Sequence, residues 1–182
     1  ALNVQKPMPL AANVVGVEER LDALGQALQP LSLPAVAPPS CDNQSAAIVC
    51  LHSHRNPEHE QRLASYLRES GWQHISVSSN LAPVIKLLPR AETTVVDAYL
   101  SPIMTRYLDG VERELTNGRL RIMTSAGGLI SRDDYRAKDS LLSGPAGGVV
   151  GAAMAGRQAG FDRIIGFDMG GTSTDVSHYA GE

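Results

Sequence analysis

Residues 164–177 read IIGFDMGGTSTDVS and carry the strongest local structural signal of the chain. A short apolar run ends at Asp168, a turn of two glycines and three hydroxyl residues follows, and another apolar position comes after Asp175. Two strands joined by a glycine-rich turn are typical of a β-hairpin. The pattern therefore predicts a hairpin whose tip lies between Met169 and Thr174.

The predicted tip has the residue types that bind phosphate. Glycine N–H groups can approach an anion closely because no Cβ intervenes, and the hydroxyls add further donors. Asp168 would repel a phosphate directly, so its useful role is to hold a metal ion that bridges to it. The interpretation assigns phosphate contact to Gly170, Gly171, Thr172, Ser173 and Thr174. The alternative is a glycine-rich hairpin that binds no ligand.

Asp175 supports two interpretations of equal weight. Its carboxylate could orient the turn by accepting backbone N–H bonds, or it could contact a metal ion or a water molecule.

Composition excludes several classes of function. The chain has 182 residues, of which 43% are hydrophobic, 19% charged and 4% aromatic, with a net charge of -3. These values argue against a general nucleic-acid or membrane-surface binder. No apolar run approaches the roughly 20 residues of a membrane span. Two cysteines, Cys41 and Cys50, do not make a disulfide framework, so we expect free thiols in a reducing cytoplasm.

The middle of the chain predicts an α/β architecture. An apolar run at 46–51 indicates a buried strand, Asn56-Pro57-Glu58 a helix start, Gly71 a helix end, and 75–78 the next strand. Strand, helix and strand at this spacing form a βαβ unit with parallel pairing.

Three further segments carry structural predictions. Residues 20–28 have a weak helical pattern, and the prolines of 30–43 indicate a linker or loop. A long helical pattern covers 96–115 with Pro102 inside it, so either Ser101 caps a new helix or the helix is kinked.

Two more glycine-rich turns follow the long helix. Gly127 and Gly128 come after a predicted strand at 120–124, where a tight turn is the favoured interpretation. Residues 143–148 precede a helix of small residues that ends near Gly160. This helix start could hold an anion, or it could simply pack closely on a sheet.

His52, His54 and His59 raise the possibility of a metal site, but no cysteine or acidic ligand set completes a zinc pattern. Capping and loop hydrogen bonding are the favoured roles. For Asp97 and Tyr99, packing is favoured over catalysis.

Several segments together resemble the hydantoinase A and 5-oxoprolinase family. They read LSGPAGGVVGAA at 142–153, GFDMGGTSTDV at 166–176, HSHRNPEHE at 52–60 and DAYLSP at 97–102. The resemblance is close over 46–182 and loose over 1–17, and it is weakest at 30–43.

The resemblance implies an ATP-dependent enzyme of the actin-like ATPase class, with ATP and Mg²⁺ as cofactors. Two RNase-H-like α/β lobes would surround a cleft, each with a largely parallel mixed sheet flanked by helices. Members act on cyclic amides such as 5-oxoproline and hydantoins, or on ketones in related carboxylases, and commonly need a hydantoinase B type partner. Two phosphate hairpins clamp the nucleotide, and residues 164–177 match the second, with Asp168 as the catalytic and metal-binding residue.

The resemblance also places two glycine turns, Gly127-Gly128 and Gly147-Gly148, along the nucleotide cleft. It divides the chain into an extended N-terminal segment at 1–43, an α/β domain at 44–160 and the start of a second lobe at 161–182. We therefore expect a truncated fragment of a longer protein that lacks the first phosphate loop and is inactive alone. The alternatives are a non-catalytic nucleotide-binding module and the β subunit of an ATP-dependent ketone carboxylase.

Overall fold

The computed structural model describes residues 10–35 and 44–181, which form a mixed α/β structure with four two-stranded sheets. The chain divides into two compact units, Ala1–Tyr107 and Leu108–Glu182, and each is described by itself. Across the described ranges, no helix is both long and apolar enough to cross a membrane. Cys41 lies outside these ranges, whereas Cys50 is a buried free thiol.

The first unit begins with an antiparallel hairpin of β1 (Glu18–Leu21) and β2 (Ala27–Ser32). The helix predicted at 20–28 is therefore wrong. The Asp22 carboxylate accepts hydrogen bonds from the backbone N–H groups of Leu24 and Gln26, both at 2.8 Å. A side chain that bonds its own following backbone favours a turn over a helix.

The predicted βαβ unit is confirmed. β3 (Ser45–Ile48) pairs in parallel with β4 (His74–Val77), and α1 (Glu58–Glu69) connects them. The pairing is in continuous register from Ser45 opposite His74 to Ile48 opposite Val77.

The predicted end of α1 at Gly71 is confirmed, and the helix begins at Glu58, one residue after the predicted first helical position Pro57. The Asn56 side-chain oxygen accepts from the Glu58 N–H at 3.0 Å, which satisfies one unpaired donor of the first turn. At the other end Gly71 has φ +94°, and its N–H donates to the Arg68 carbonyl at 3.0 Å. This left-handed residue ends the helix as a Schellman motif does.

The core of the first unit lies between β2, the parallel sheet and α1. Its buried members are apolar side chains contributed by all of these elements: Leu31, Ile48, Cys50, Leu63, Ala64 and Val77. Burying such side chains is the main favourable term in forming this unit.

Two helices follow β4: the short α2 (Ser78–Leu81) and the long α3 (Leu87–Glu114). α3 continues through Pro102, so the alternative in which Ser101 caps a new helix is wrong. Ser101 lies inside α3, and its hydroxyl donates to the Asp97 carbonyl at 2.8 Å. The boundary between the two compact units falls within α3.

The second unit contains two antiparallel hairpins and one long helix. β5 (Ile122–Met123) pairs with β6 (Leu129–Ile130), and β7 (Ile164–Met169) pairs with β8 (Thr174–Tyr179). Between the hairpins lie a short 3₁₀ helix and α4 (Ser143–Gln158).

The glycine-rich segment 143–148 is helical, whereas the sequence predicted a turn there. Leu142 takes the left-handed conformation with φ 59°, and α4 begins at the next residue. The predicted end near Gly160 is confirmed: this residue has φ +84°, and its N–H donates to the Arg157 carbonyl at 3.0 Å.

The mixed α/β class is confirmed, but largely parallel pairing is not found in the part of the chain that the structure describes. Only β3 and β4 pair in parallel there, and the other three pairs are antiparallel hairpins. Hairpins dominate because short turns join adjacent strands antiparallel, whereas parallel pairing needs a crossover such as α1. The domain boundaries expected at 43 and 160 stay predictions.

Candidate functional site

The hairpin of β7 and β8 is formed as the sequence predicts. Its register places Asp168 opposite Asp175 and Met169 opposite Thr174. Residues directly opposite each other in an antiparallel pair share one face of the sheet. The two aspartates are exposed and lie side by side on one face, next to the tip of the hairpin.

The tip is closed by one more backbone hydrogen bond. The N–H of Gly170 donates to the carbonyl of Ser173 at 2.9 Å, which leaves Gly171 and Thr172 at the exposed turn. The Gly170 amide is therefore engaged within the hairpin, and its predicted phosphate contact stays a prediction. The remaining tip donors are the Gly171 and Thr172 amides and the side-chain hydroxyls.

The structure around Gly171 would accommodate a larger residue at this position. A Cβ placed on it would meet no atom within 4 Å, and its φ lies outside the left-handed region. Neither packing nor backbone strain therefore explains the missing side chain. The space beside Gly171 is open to an external group that approaches the backbone closely.

Asp168 lies against the N-terminal half of α4. A Cβ placed on Gly148 would lie 3.4 Å from Oδ2 of Asp168, so the carboxylate lies where the side chain of a larger residue at 148 would begin. The partial positive charge of a helix N-terminus favours negative groups in its first turns. A Cβ on Gly147 would lie 3.6 Å from Cγ of Met123, so this glycine faces β5 instead.

The Gly127-Gly128 turn joins β5 to β6. Gly127 has φ +79°, and a Cβ there would lie 3.2 Å from Cγ2 of Val150 in α4. The Gly128 carbonyl accepts from the Thr124 N–H at 2.9 Å. Turn conformation and packing on α4 account for the glycine at 127, in line with the tight-turn interpretation.

The opposite face of β7 and β8 is largely apolar and exposed, and Thr174 and His178 also lie on it. It carries four side chains whose exposed fractions are 64–73%: Ile165, Phe167, Met169 and Val176. The two faces of this hairpin therefore differ in character, with two carboxylates on one face, of which Asp168 lies beside α4, and mostly apolar groups on the other.

The carboxylate pair fits Mg²⁺ as it occurs in phosphate sites. Mg²⁺ usually takes one or two protein carboxylates and completes its shell with water and substrate phosphates. Among the described residues, no group of three or more His, Cys, Asp or Glu side chains could hold a metal ion. Asp168 and Asp175 could therefore supply the protein ligands of a phosphate-bound Mg²⁺ but not a closed structural metal site.

His59 lies inside α1 rather than at a cap or in a loop, and Nδ1 of His54 is buried with no hydrogen-bond partner among the described residues, so the capping and loop bonding favoured for the histidines is not confirmed. Nδ1 of His59 lies 2.7 Å from Oε2 of Glu19, and both side chains are largely buried. The rings of His52 and His54 are 6.0 Å apart.

The pKa of His54 is lowered from its ordinary value. Burial is the main cause, and the positive charges of Arg90, Arg55 and His52 add to it.

A buried polar network in the first unit was missed by the sequence interpretation. The Glu60 carboxylate is fully buried and accepts from the Cys50 N–H, the Ser78 hydroxyl and the Ser79 N–H, at 2.8, 2.6 and 2.8 Å. Nε of Arg90, also fully buried, donates to the same Ser78 hydroxyl at 3.0 Å. No local pattern could reveal this network because its members lie far apart in the chain.

Comparison with known proteins identifies the family. The Hydantoinase/oxoprolinase family model matches residues 90–182, and the Hydantoinase/oxoprolinase N-terminal region matches residues 1–71.

The chain belongs to the hydantoinase/oxoprolinase family.

A curated family relative is the 5-oxoprolinase of Saccharomyces cerevisiae, which is 43% identical over 144 residues. That alignment covers 75% of this chain and 11% of the yeast protein. The acetone carboxylase beta subunit of Xanthobacter autotrophicus is 31% identical over 176 residues, covering 89% of this chain and 24% of the relative. The chain thus spans about a tenth to a quarter of the length of these relatives.

Two solved structures are similar to this chain. An ATP-dependent caprolactamase from Pseudomonas jessenii superposes with a TM-score of 0.72 at 28% identity, over 97% of this chain and 28% of the other. A nucleotide-free acetone carboxylase superposes with a TM-score of 0.70 at 28% identity, over 92% and 26%.

Proposed function

We propose that this chain forms part of the nucleotide-binding region of an ATP-dependent hydrolase that opens cyclic amides, of the 5-oxoprolinase or hydantoinase A type. The observation that carries the proposal is the hairpin tip. Two exposed carboxylates, Asp168 and Asp175, lie opposite each other next to the hairpin tip, where a Cβ placed on Gly171 would meet no atom within 4 Å. The 5-oxoprolinase and caprolactamase relatives support both the use of ATP and a cyclic amide substrate.

Each part of the hairpin has a proposed role. The Gly171 amide and the hydroxyls of Thr172, Ser173 and Thr174 would donate hydrogen bonds to phosphate oxygens. Asp168 would hold Mg²⁺, with Asp175 as a second ligand or a water contact. Bound Mg²⁺ would neutralise phosphate charge and so ease phosphoryl transfer to the amide oxygen. Asp168 and the tip would thereby orient the nucleotide for ring opening.

We further propose that the chain is part of an actin-like ATPase fold with RNase-H-like lobes, and that 161–182 begins the second lobe. The glycine turns at Gly127-Gly128 and Gly147-Gly148 would then line the nucleotide cleft. A hydantoinase B type partner and a cytoplasmic location belong to the same proposal. Co-purification of the full-length protein with such a partner would test the first.

A second candidate is the beta subunit of an ATP-dependent ketone carboxylase. The acetone carboxylase structure supports it through a TM-score of 0.70, close to the 0.72 of the caprolactamase. The higher identity to the yeast 5-oxoprolinase, 43% against 31%, favours the cyclic-amide hydrolase.

The experiment is a product assay with the full-length protein that contains these residues. We expect ATP-dependent release of glutamate from 5-oxoproline, or of the ring-opened product from a hydantoin. Asp168→Ala should lower turnover by about 100-fold or more, since one electrostatic contact to a developing charge has an effect of that size. Asp162→Ala removes an exposed carboxylate just before β7 and serves as the matched control. Unchanged turnover in Asp168→Ala would overturn the assignment.

A further inference from the structure

We propose that Gly166 is a positioning residue that sets the separation of α4 from β7 and thereby places the Asp168 carboxylate beside the helix. This inference rests on the proposed function, because it concerns how the proposed Mg²⁺ ligand is held. Gly166 does not touch the nucleotide in this proposal, so it acts through Asp168.

Three regularly spaced contacts join α4 to β7. Residues 148, 152 and 156 of the helix face residues 168, 166 and 164 of the strand. Four helical residues rise about 6 Å, and two strand residues span about 6.6 Å, so the two periodicities nearly match. Because successive contacts stay aligned, the spacing at the middle contact influences the spacing at Asp168.

Gly166 is the middle contact and has little room on either side. A Cβ placed there would lie 2.5 Å from Oγ of Ser177 on β8 and 3.3 Å from Cβ of Ala152 on α4. A serine hydroxyl can rotate away about χ1, but the Ala152 methyl is fixed to the helix backbone. A methyl group at 166 would therefore push the helix away one turn from Gly148.

The contact at Gly156 fixes the other end of the helix. A Cβ there would lie 2.5 Å from Cγ2 of Ile164. Ile is stiff at χ1, so this neighbour could not move aside easily. With that end fixed, a displacement at Gly166 would be transmitted toward Gly148 and Asp168.

The consequence at the site is direct. Asp168 lies two residues beyond Gly166 on the same face of β7, and its Oδ2 is already in contact with the position of Gly148. Moving α4 outward would separate the carboxylate from the helix N-terminal half. The orientation of a Mg²⁺ ligand would change although no ligand had been removed.

The test adds a methyl group to β7 at residue 166 and then removes one from α4 at residue 152, in the full-length protein. Ser177→Ala serves as the background, since it removes the rotatable hydroxyl. Gly166→Ala is added to it, and Ala152→Gly is then added to restore the space. The readouts are the Kd for a fluorescent ATP analogue, measured with and without Mg²⁺, and the thermal midpoint.

We expect Gly166→Ala to raise the Kd with Mg²⁺ by about tenfold, since small misplacements at such sites have large effects. Adding Ala152→Gly should return the Kd to within about twofold of the background. The thermal midpoint should not recover, because glycine inside a helix is destabilising by about 1 kcal/mol relative to alanine. Recovery of the affinity without recovery of the thermal midpoint would separate positioning from a merely structural role.

Two results would overturn the inference: an unchanged Kd in Gly166→Ala, or a Kd that follows the thermal midpoint in all variants. Asp168→Asn distinguishes this failure from that of the proposed function. If Asp168→Asn weakens Mg²⁺-dependent binding while the Gly166 variants do not, only the positioning role fails. If Asp168→Asn also has no effect, the proposed function fails.

Discussion

The two units differ in how their carboxylates are exposed and bonded. In the first, Glu60 is fully buried and its oxygens accept hydrogen bonds from two backbone amides and a serine hydroxyl. In the second, Asp168 and Asp175 lie side by side in solvent at the end of a hairpin. A buried charge must be satisfied by the fold itself, whereas an exposed pair of like charges is available to a cation.

The arginine of the first unit completes this contrast. Arg90 donates to the carbonyls of Cys50, Leu51 and Val84 at 2.6, 2.9 and 2.6 Å, and reaches Glu60 only through the Ser78 hydroxyl. These bonds fix the chain after β3 and after β4. The buried charges of the first unit hold its fold, and we propose that the exposed aspartates of the second unit serve a ligand.

The largest expected effect on stability is at Glu60. Glu60→Ala should lower the free energy of unfolding by about 3–5 kcal/mol, because it removes the acceptor of the Cys50 N–H, the Ser78 hydroxyl and the Ser79 N–H, and with it the buried negative charge that Arg90 reaches through Ser78. Urea denaturation measures the change. Glu58→Ala, an exposed acid in the same helix, should cost less than about 1 kcal/mol. Equal effects of the two substitutions would remove the contrast between the units.

The next largest effect on stability is expected at Gly156 in α4, with Gly151 in the same helix as its control. Gly156→Ala should cost about 1–3 kcal/mol because its methyl would overlap Ile164. Gly151→Ala should instead stabilise by up to about 1 kcal/mol, since a Cβ there meets nothing within 4 Å. Thermal denaturation of both variants gives the signs. A stabilising Gly156→Ala would contradict the close packing of α4 on β7.

A pH-dependent effect follows from the interior of the first unit. Burial, with added repulsion from Glu19 and Glu60, raises the pKa of Cys50 from its ordinary 9.0 to about 12. The folded state keeps this proton when the unfolded state loses it. The stability due to the buried thiol is therefore complete below pH 9 and is lost as pH rises toward 12, by at most about 1.4 kcal/mol per pH unit.

Cys50→Ala supplies the comparison for this effect. The difference in unfolding free energy between the wild type and Cys50→Ala should be constant below pH 9 and should shrink above it. A difference that stays constant up to pH 11 would show that the thiol ionises as freely in the folded protein.

The smallest expected effect on stability is at the hairpin tip. Gly171→Ala should change the free energy of unfolding by no more than about 0.5 kcal/mol, since its methyl would point into open space. The same methyl should raise the Kd of the full-length protein for Mg-ATP by about tenfold or more if a phosphate approaches there. Calorimetric titration alongside urea denaturation measures both. Unchanged affinity would mean that the open space is not used.

Short-range signals account for what the sequence predicted well. The hairpin at 164–177, the βαβ unit and the helix ends at Gly71 and Gly160 each depend on residues close together in the chain. Once the hairpin register is known, the pairing of Asp168 with Asp175 follows from it.

Side-chain contacts and long-range packing account for what it missed. The turn at Asp22 depends on a carboxylate that bonds nearby amides, and the helical start at 143–148 follows a left-handed Leu142. The contact of Asp168 with Gly148 joins two elements that are separated in the chain. Helix and strand patterns do not contain this information, so the shape of the candidate site required the structure.

The most direct test of the central claim is the affinity of the full-length protein for Mg-ATP in Asp168→Asn, measured by calorimetric titration. The thermal midpoint is recorded for the same samples, and Asp162→Asn is the control. The account predicts that Asp168→Asn weakens Mg²⁺-dependent binding by about tenfold or more while the thermal midpoint stays close to that of the wild type. Wild-type affinity in Asp168→Asn, or a loss of affinity explained by unfolding, would contradict it.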